Sequence, residues 1–121
     1  MIYDGRKFRS TATETASGED VPVGHYHQFG DLVWAEFSGG AVRLGRLAGR
    51  AAPDQTLTAG YVQVLTDGRT VSGELVTTPT VLADGRLRLR EQWRRADGSE
   101  GVSWIEEIAS CNRESSRSIR K

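Results

Sequence analysis

Five glycine-bearing turn signals, spread along the 121-residue chain, constrain its fold more than any other feature. They are Phe29-Gly30, Gly39-Gly40, Asp67-Gly68, Asp84-Gly85 and Asp97-Gly98, each set between runs rich in Val, Leu, Thr, Tyr or Trp. Asp-Gly and Gly-Gly suit two-residue hairpin loops, because both central residues of a type I′ turn need positive φ. The spacing predicts eight strands, at about 6–12, 21–28, 31–38, 41–50, 57–66, 69–82, 86–95 and 99–108. No window of helical length carries an apolar stripe at i, i+3, i+4 and i+7. Residues 13–20 and the segment Ala51-Ala52-Pro53-Asp54 read as polar loops. Pro79 is expected to break or kink the sixth strand, since it has no N–H to give to a ladder.

A meander of eight strands with no covering helix has two long unpaired edges, and closure removes both. The short turns leave little room for the crossovers of a sandwich. The expected fold is therefore all-β, a single small antiparallel up-and-down β-barrel of about eight strands whose first and last strands pair. An eight-stranded barrel is just wide enough inside to be filled by side chains or to hold one small ligand. The barrel domain is expected over 1–110. Residues 111–121, which include Arg113, Arg117, Arg120 and Lys121, read as a basic, flexible tail.

Sixteen basic residues balance sixteen acidic ones, so no global field draws the chain to nucleic acid or to an anionic membrane. The single cysteine, Cys111, excludes an intrachain disulfide and fits a reducing cytoplasm. The opening residues show no apolar signal region, and no segment has the roughly 18 apolar residues of a membrane helix. A cytoplasmic domain is expected, with no nucleic-acid or membrane partner and no cofactor.

Register then sorts the side chains. A two-residue loop at Asp97-Gly98 sets Trp93 opposite Val102, Glu91 opposite Trp104, Leu89 opposite Glu106 and Leu87 opposite Ile108. That face is expected to be the interior, with Glu91 and Glu106 among tryptophans. The opposite face, with Arg86, Arg88, Arg90 and Arg94, is expected to meet water, Arg88 pairing with Glu107. Two-residue loops at Phe29-Gly30 and Gly39-Gly40 collect Val23, His25, His27, Leu32, Trp34, Glu36, Arg43, Gly45 and Leu47 on one face, with Trp34 over Gly45. The other face holds Tyr26, Val33, Ala35, Phe37, Val42, Leu44 and Arg46. Hydrophobicity alone does not separate the two. The face with His25, His27, Trp34 and Arg43 is taken as the interior, because Arg43 there would offset the desolvation of Glu91 or Glu106.

Several segments carry a family likeness. Tyr3-Asp4-Gly5-Arg6-Lys7-Phe8-Arg9, His25-Tyr26-His27-Gln28, Asp31-Leu32-Val33-Trp34-Ala35 and Ser38-Gly39-Gly40, followed by Gly45 and Gly49, resemble a family of small bacterial proteins of unknown function. Members are often labelled N-acetylglutamate synthase. The likeness runs up to about Ile108 and implies no catalytic residues. The barrel also resembles the calycin group (lipocalins, avidins and relatives) in strand count and meander order. The acetyltransferase label has one sequence correlate: Arg46-Leu47-Ala48-Gly49-Arg50-Ala51 fits the Arg/Gln-x-x-Gly-x-Gly/Ala string that holds a pyrophosphate at a helix N-terminus. Here Pro53-Asp54 and a non-helical pattern follow it, which disfavours that reading.

The functional expectation is a binding module that holds a small, partly polar ligand inside the barrel. Its lining would be His25, His27, Trp34, Arg43, Glu91, Trp93, Trp104 and Glu106. The alternative is a structural or interaction module with a filled barrel, and enzymatic activity ranks last because neither a nucleophile nor an oxyanion hole can be placed. His25 and His27, at i and i+2, would share one side of a strand and point to a metal only with Glu91 or Glu106 beside them. Ordinary hydrogen-bonded histidines are the plainer reading, and no metal is expected.

Overall fold

The structure, a computed structural model, describes residues 2–11 and 20–109. The expected loop at 13–20 lies almost wholly outside those residues, and the tail at 111–121 entirely so. Eight strands follow one another: β1 (Lys7–Ser10), β2 (Val23–Phe29), β3 (Leu32–Gly39), β4 (Val42–Ala51), β5 (Leu57–Leu65), β6 (Thr70–Val81), β7 (Leu87–Arg95) and β8 (Glu100–Glu107). Each pairs antiparallel with its neighbours, and β1 pairs with β8 to close the barrel. The all-β fold, strand count, meander order and closure are those expected. No helix among the described residues is long and apolar enough to cross a membrane.

The Asp-Gly turns are one residue longer than expected. The Arg95 and Gly98 amides donate to the Ser99 and Arg95 carbonyls, so Ala96, Asp97 and Gly98 form a three-residue loop. The same bonds recur for Leu65 with Arg69 and for Leu82 with Arg86. Only the glycine of each loop has positive φ, at 92°, 90° and 93° for Gly68, Gly85 and Gly98. This is a type I turn completed by a left-handed residue, the other common hairpin loop. Each aspartate instead accepts the amide two residues on, Asp97 from Ser99 at 2.9 Å, as the side chain of an Asx turn does.

That extra residue moves β8 by one against β7. Glu91 faces Ser103, Trp93 faces Gly101 and Arg90 faces Trp104. A one-residue slip sends a strand's whole side-chain set to the other face. Trp104 and Glu106, expected inside, therefore lie on the outer wall. There Arg88 stacks over Trp104 at 4.3 Å and meets Glu106, rather than Glu107, at 3.4 Å. Ser103, Ile105 and Glu107 point inward instead.

The β2–β3 wall keeps its expected face grouping but turns it inside out. His27 lies opposite Trp34, and His25 opposite Glu36. Val23, Leu32 and Trp34 are exposed, whereas Tyr26, Val33 and Ala35 are buried. The core thus takes the face judged equally hydrophobic, and Arg43 sits on the exterior. Irregularities at Phe37/Gly39 and Val42/Leu44 reset β4 so that Gly45 and Leu47 turn inward. Phe37, not Trp34, lies over Gly45. Trp34 lies opposite Ala48.

One further expectation fails for a local reason, and one disfavoured reading falls away. Pro79 does not break β6, because pairing with β5 ends at Thr77 and leaves one edge there unpaired. The Arg46–Ala51 string lies wholly within β4, so no helix N-terminus follows it to hold a pyrophosphate.

One end of the barrel is sealed. Tyr3 is fully buried there, its amide donating to Gln28 Oε1 at 3.0 Å and its hydroxyl to the Gln55 carbonyl at 2.5 Å. Phe8, Leu57 and Leu89 pack beside it with at most 1% exposure. Glu107, buried in the closing strand, accepts from Arg6 at 2.6 Å and from the Leu87 amide at 3.0 Å. The N-terminal segment thereby caps the base.

Candidate functional site

The other half of the barrel is not filled. A cavity of about 120 Å³ lies among Tyr26, Phe37, Leu75, Glu91, Trp93 and Arg95. Its floor is made by β2 and β7. Tyr26 packs edge-on against Phe8 at 5.0 Å and nearly parallel to Tyr3 at 6.1 Å, which joins the floor to the sealed half. Glu91 projects from the middle of β7, between Thr77 on β6 and Ser103 on β8.

Protein encloses the Glu91 carboxyl except where it faces the cavity. Burial pushes it up to about 7, against the hydrogen bond from the Tyr26 hydroxyl, which favours the charged form. The Tyr26 hydroxyl is in turn raised well above its usual range, first by burial and then by the charge of Glu91. Among the described residues, no arginine or lysine contributes to the Glu91 shift. Beside it, the fully buried Thr77 hydroxyl has no hydrogen-bond partner among the described residues. A carboxyl set this way has spare acceptor capacity aimed into open space.

The mouth is built on Trp93. Its indole Nε1 donates to Ser103 Oγ at 2.9 Å, which fixes the ring against the opposite strand. Gly101 makes room for the ring, since a Cβ there would come within 2.7 Å of it. Arg95 lies over the indole at 4.8 Å, and its buried Nε has no partner among the described residues. The cavity therefore runs from an uncompensated carboxyl, along aromatic and aliphatic walls, to a guanidinium.

Of the residues expected to line the interior, Glu91 and Trp93 line this cavity. His25, His27, Trp34, Arg43, Trp104 and Glu106 do not, since all six lie on the outer wall. His25, His27 and Glu36 do come together there, but on the face away from Glu91 and Glu106. Tyr26, Arg95 and Ser103 were not among the expected lining residues. The signal for Arg95 was the alternation of β7, which continues the inward face from Trp93, and the signal for Ser103 was the three-residue reading of Asp97-Gly98, which puts it inward beside Glu91. For Tyr26 it was the aliphatic content of the face it shares with Val33 and Ala35.

A broader depression of about 810 Å³ borders the sealed end, near Asp31, Arg50 and Thr56. It opens widely to solvent, and Asp31 and Arg50 already pair at 3.0 Å. The barrel cavity is smaller but gathers Glu91 and the unpartnered Arg95 Nε, whereas the depression holds one buried unpartnered side-chain atom among the described residues, Gln55 Oε1.

A family model described as avidin-like protein matches residues 1–108. No curated protein and no solved structure gives a match.

Proposed function

The chain belongs to the avidin-like protein family, and on that premise we propose that it binds one small, partly polar ligand in the unsealed half of the barrel. The observation that carries this reading is the enclosed Glu91 carboxyl, which faces an unfilled cavity with Tyr26 as its hydrogen-bonding neighbour. The ligand class follows from the lining. Glu91 calls for a hydrogen-bond donor or a cationic nitrogen at the inner end. Trp93, Phe37 and Leu75 suit a flat or apolar body. Arg95 favours an acceptor or an anionic group at the mouth. A cavity of about 150 Å³ accommodates a benzene ring, so the enclosed part of the ligand is about the size of one six-membered ring.

The test is a screen of ring-sized amines, amides and zwitterions by thermal shift and tryptophan fluorescence. Hits are expected to change the emission of Trp93, and the change should survive Trp34→Phe and Trp104→Phe but not Trp93→Phe. Glu91→Gln should weaken donor ligands by about 1.5–3 kcal/mol, the range for hydrogen bonds to charged groups. Absence of any hit, together with a cavity found closed in an experimental structure, would move the reading to an interaction module. The exposed pair Phe29 and Leu32, at 75% and 51% exposure, is the surface from which such a module would work.

A further inference from the structure

On the outer wall of β2 and β3, two imidazoles and a carboxylate converge without serving the cavity. His25 and His27 lie two residues apart on β2 and so project from the same side. Glu36 stands directly across from His25 on β3. One ligand atom from each of the three falls within 4.8 Å of the others. The His rings are 4.8 Å apart, and Trp34 stacks on His27 at 5.5 Å with a tilt of only 22°.

We propose that His25, His27 and Glu36 form a binding site for a divalent transition cation of the zinc type. The donor set of two imidazole nitrogens and one carboxylate oxygen is that of borderline metals such as zinc, copper(II) and nickel(II). It is a poor set for magnesium or calcium, which take oxygen ligands. Zinc bonds of about 2.0–2.2 Å in a tetrahedron place the donors roughly 3.4 Å apart. The partly exposed side chains reach that spacing by small rotations, with no shift of the strands.

The surroundings favour this arrangement in one respect and oppose it in another. Glu36 has Arg46 across from it on β4, yet its Oε1 lies 2.8 Å from His27 Nε2. Arg46 gives one of its N–H groups to the Gly45 carbonyl instead. The carboxylate is thus already turned toward the imidazole. Lys7, opposite His25 on β1, and Arg46 add positive charge nearby and weaken cation binding. Three protein ligands leave at least one position open to water or to a group from outside the chain.

Zinc titration of the full chain, prepared without a polyhistidine tag and carrying Cys111→Ser to remove the thiol, tests the site against a chromophoric chelator. One zinc per chain is expected. His25→Ala, His27→Ala and Glu36→Gln should each weaken it at least about tenfold, since even second-shell partners cost ten- to a hundredfold. Glu106→Gln, on another part of the outer wall, should leave it unchanged. Copper(II) provides the independent readout: two nitrogen ligands in its paramagnetic resonance, and quenching of Trp34 that is lost in Trp34→Phe. No zinc binding, zinc binding undiminished in His25→Ala or His27→Ala, or a single nitrogen at copper would each overturn the proposal. Ligand binding in the cavity is read separately through Trp93 and does not depend on the outcome.

Discussion

The two ends of this barrel use the same strands for opposite purposes. At the sealed end, Tyr3, Phe8, Leu57 and Leu89 fill the interior, and Glu107 has Arg6 and the Leu87 amide as partners. At the other end, β7 offers Glu91, Trp93 and Arg95 to an unfilled cavity, and the polar atoms there are left with capacity to spare. Both ends turn a glutamate inward, Glu107 buried and Glu91 half-buried, but among the described residues only Glu107 is supplied with a guanidinium. A buried charge is tolerable when paired and costly when not. The sealed half therefore stabilises the fold, and the open half gives up some of that stability to an unfilled cavity.

The sharpest way to break the comparison is to empty the sealed half. Leu89→Ala, fully buried and away from the cavity, should destabilise the protein by about 2–5 kcal/mol, as for other buried leucines, measured by denaturant unfolding. Leu75→Ala, at the cavity wall, should cost clearly less, because its side chain already borders empty space. Equal losses would mean that the two halves do not differ in packing.

Glu107→Ala removes the acceptor that holds Arg6 and the Leu87 amide. A loss of about 3 kcal/mol is expected, since the change leaves a buried donor unpaired. Glu107→Gln keeps an acceptor for that amide and should lose less. The unfolding free energies of the pair separate the hydrogen bond from the charge.

Glu91 should show the opposite sign. Its carboxyl is raised from 4.5 to about 7 in the folded protein, so the native state binds the proton more tightly than the unfolded chain does. The stability this provides is fully present below about pH 4.5 and is lost as pH rises through about 7. The total is on the order of 3 kcal/mol. Glu91→Gln should flatten that slope and gain stability at pH 8, measured by thermal or denaturant unfolding across pH. A Glu91→Gln variant less stable than the parent at pH 8 would mean that the carboxylate has a cationic partner after all.

The smallest effect belongs to the outer wall. Arg88→Ala loses a stacking contact with Trp104 and a half-exposed pair with Glu106. It should cost no more than about 1 kcal/mol. It should also leave cavity binding unchanged, which makes it the control for the variants above.

Within the candidate site, legibility varied strand by strand. On β7 the alternation of Leu87, Leu89, Glu91 and Trp93 told its inward face correctly, because charged arginines occupy every intervening position but one. On β8 the alternation carried no such mark: Trp104 and Glu106 look as fit for the interior as Ser103 and Ile105. Only the length of the Asp97-Gly98 loop separates the two, and Asp-Gly suits loops of two or of three residues. His25 and His27 were legible as a pair on one face, but their third companion, Glu36, was not assigned to them.

The chain by itself determined what depends on neighbours in sequence: the turn sites, the eight strands, their antiparallel meander and the need to close it. Turn chemistry and alternation act over a few residues, so they can be read in order along the sequence. The tertiary structure alone decided which face of β2–β4 is buried, how β8 is set against β7, and that Glu91 has no cationic partner among the described residues. Those outcomes depend on the parity of hairpin loops, on the irregularities beside Gly39 and Val42, and on packing around the whole closed ring. A shift of one residue at a turn reverses every side chain beyond it, and only the closed barrel selects among such shifts.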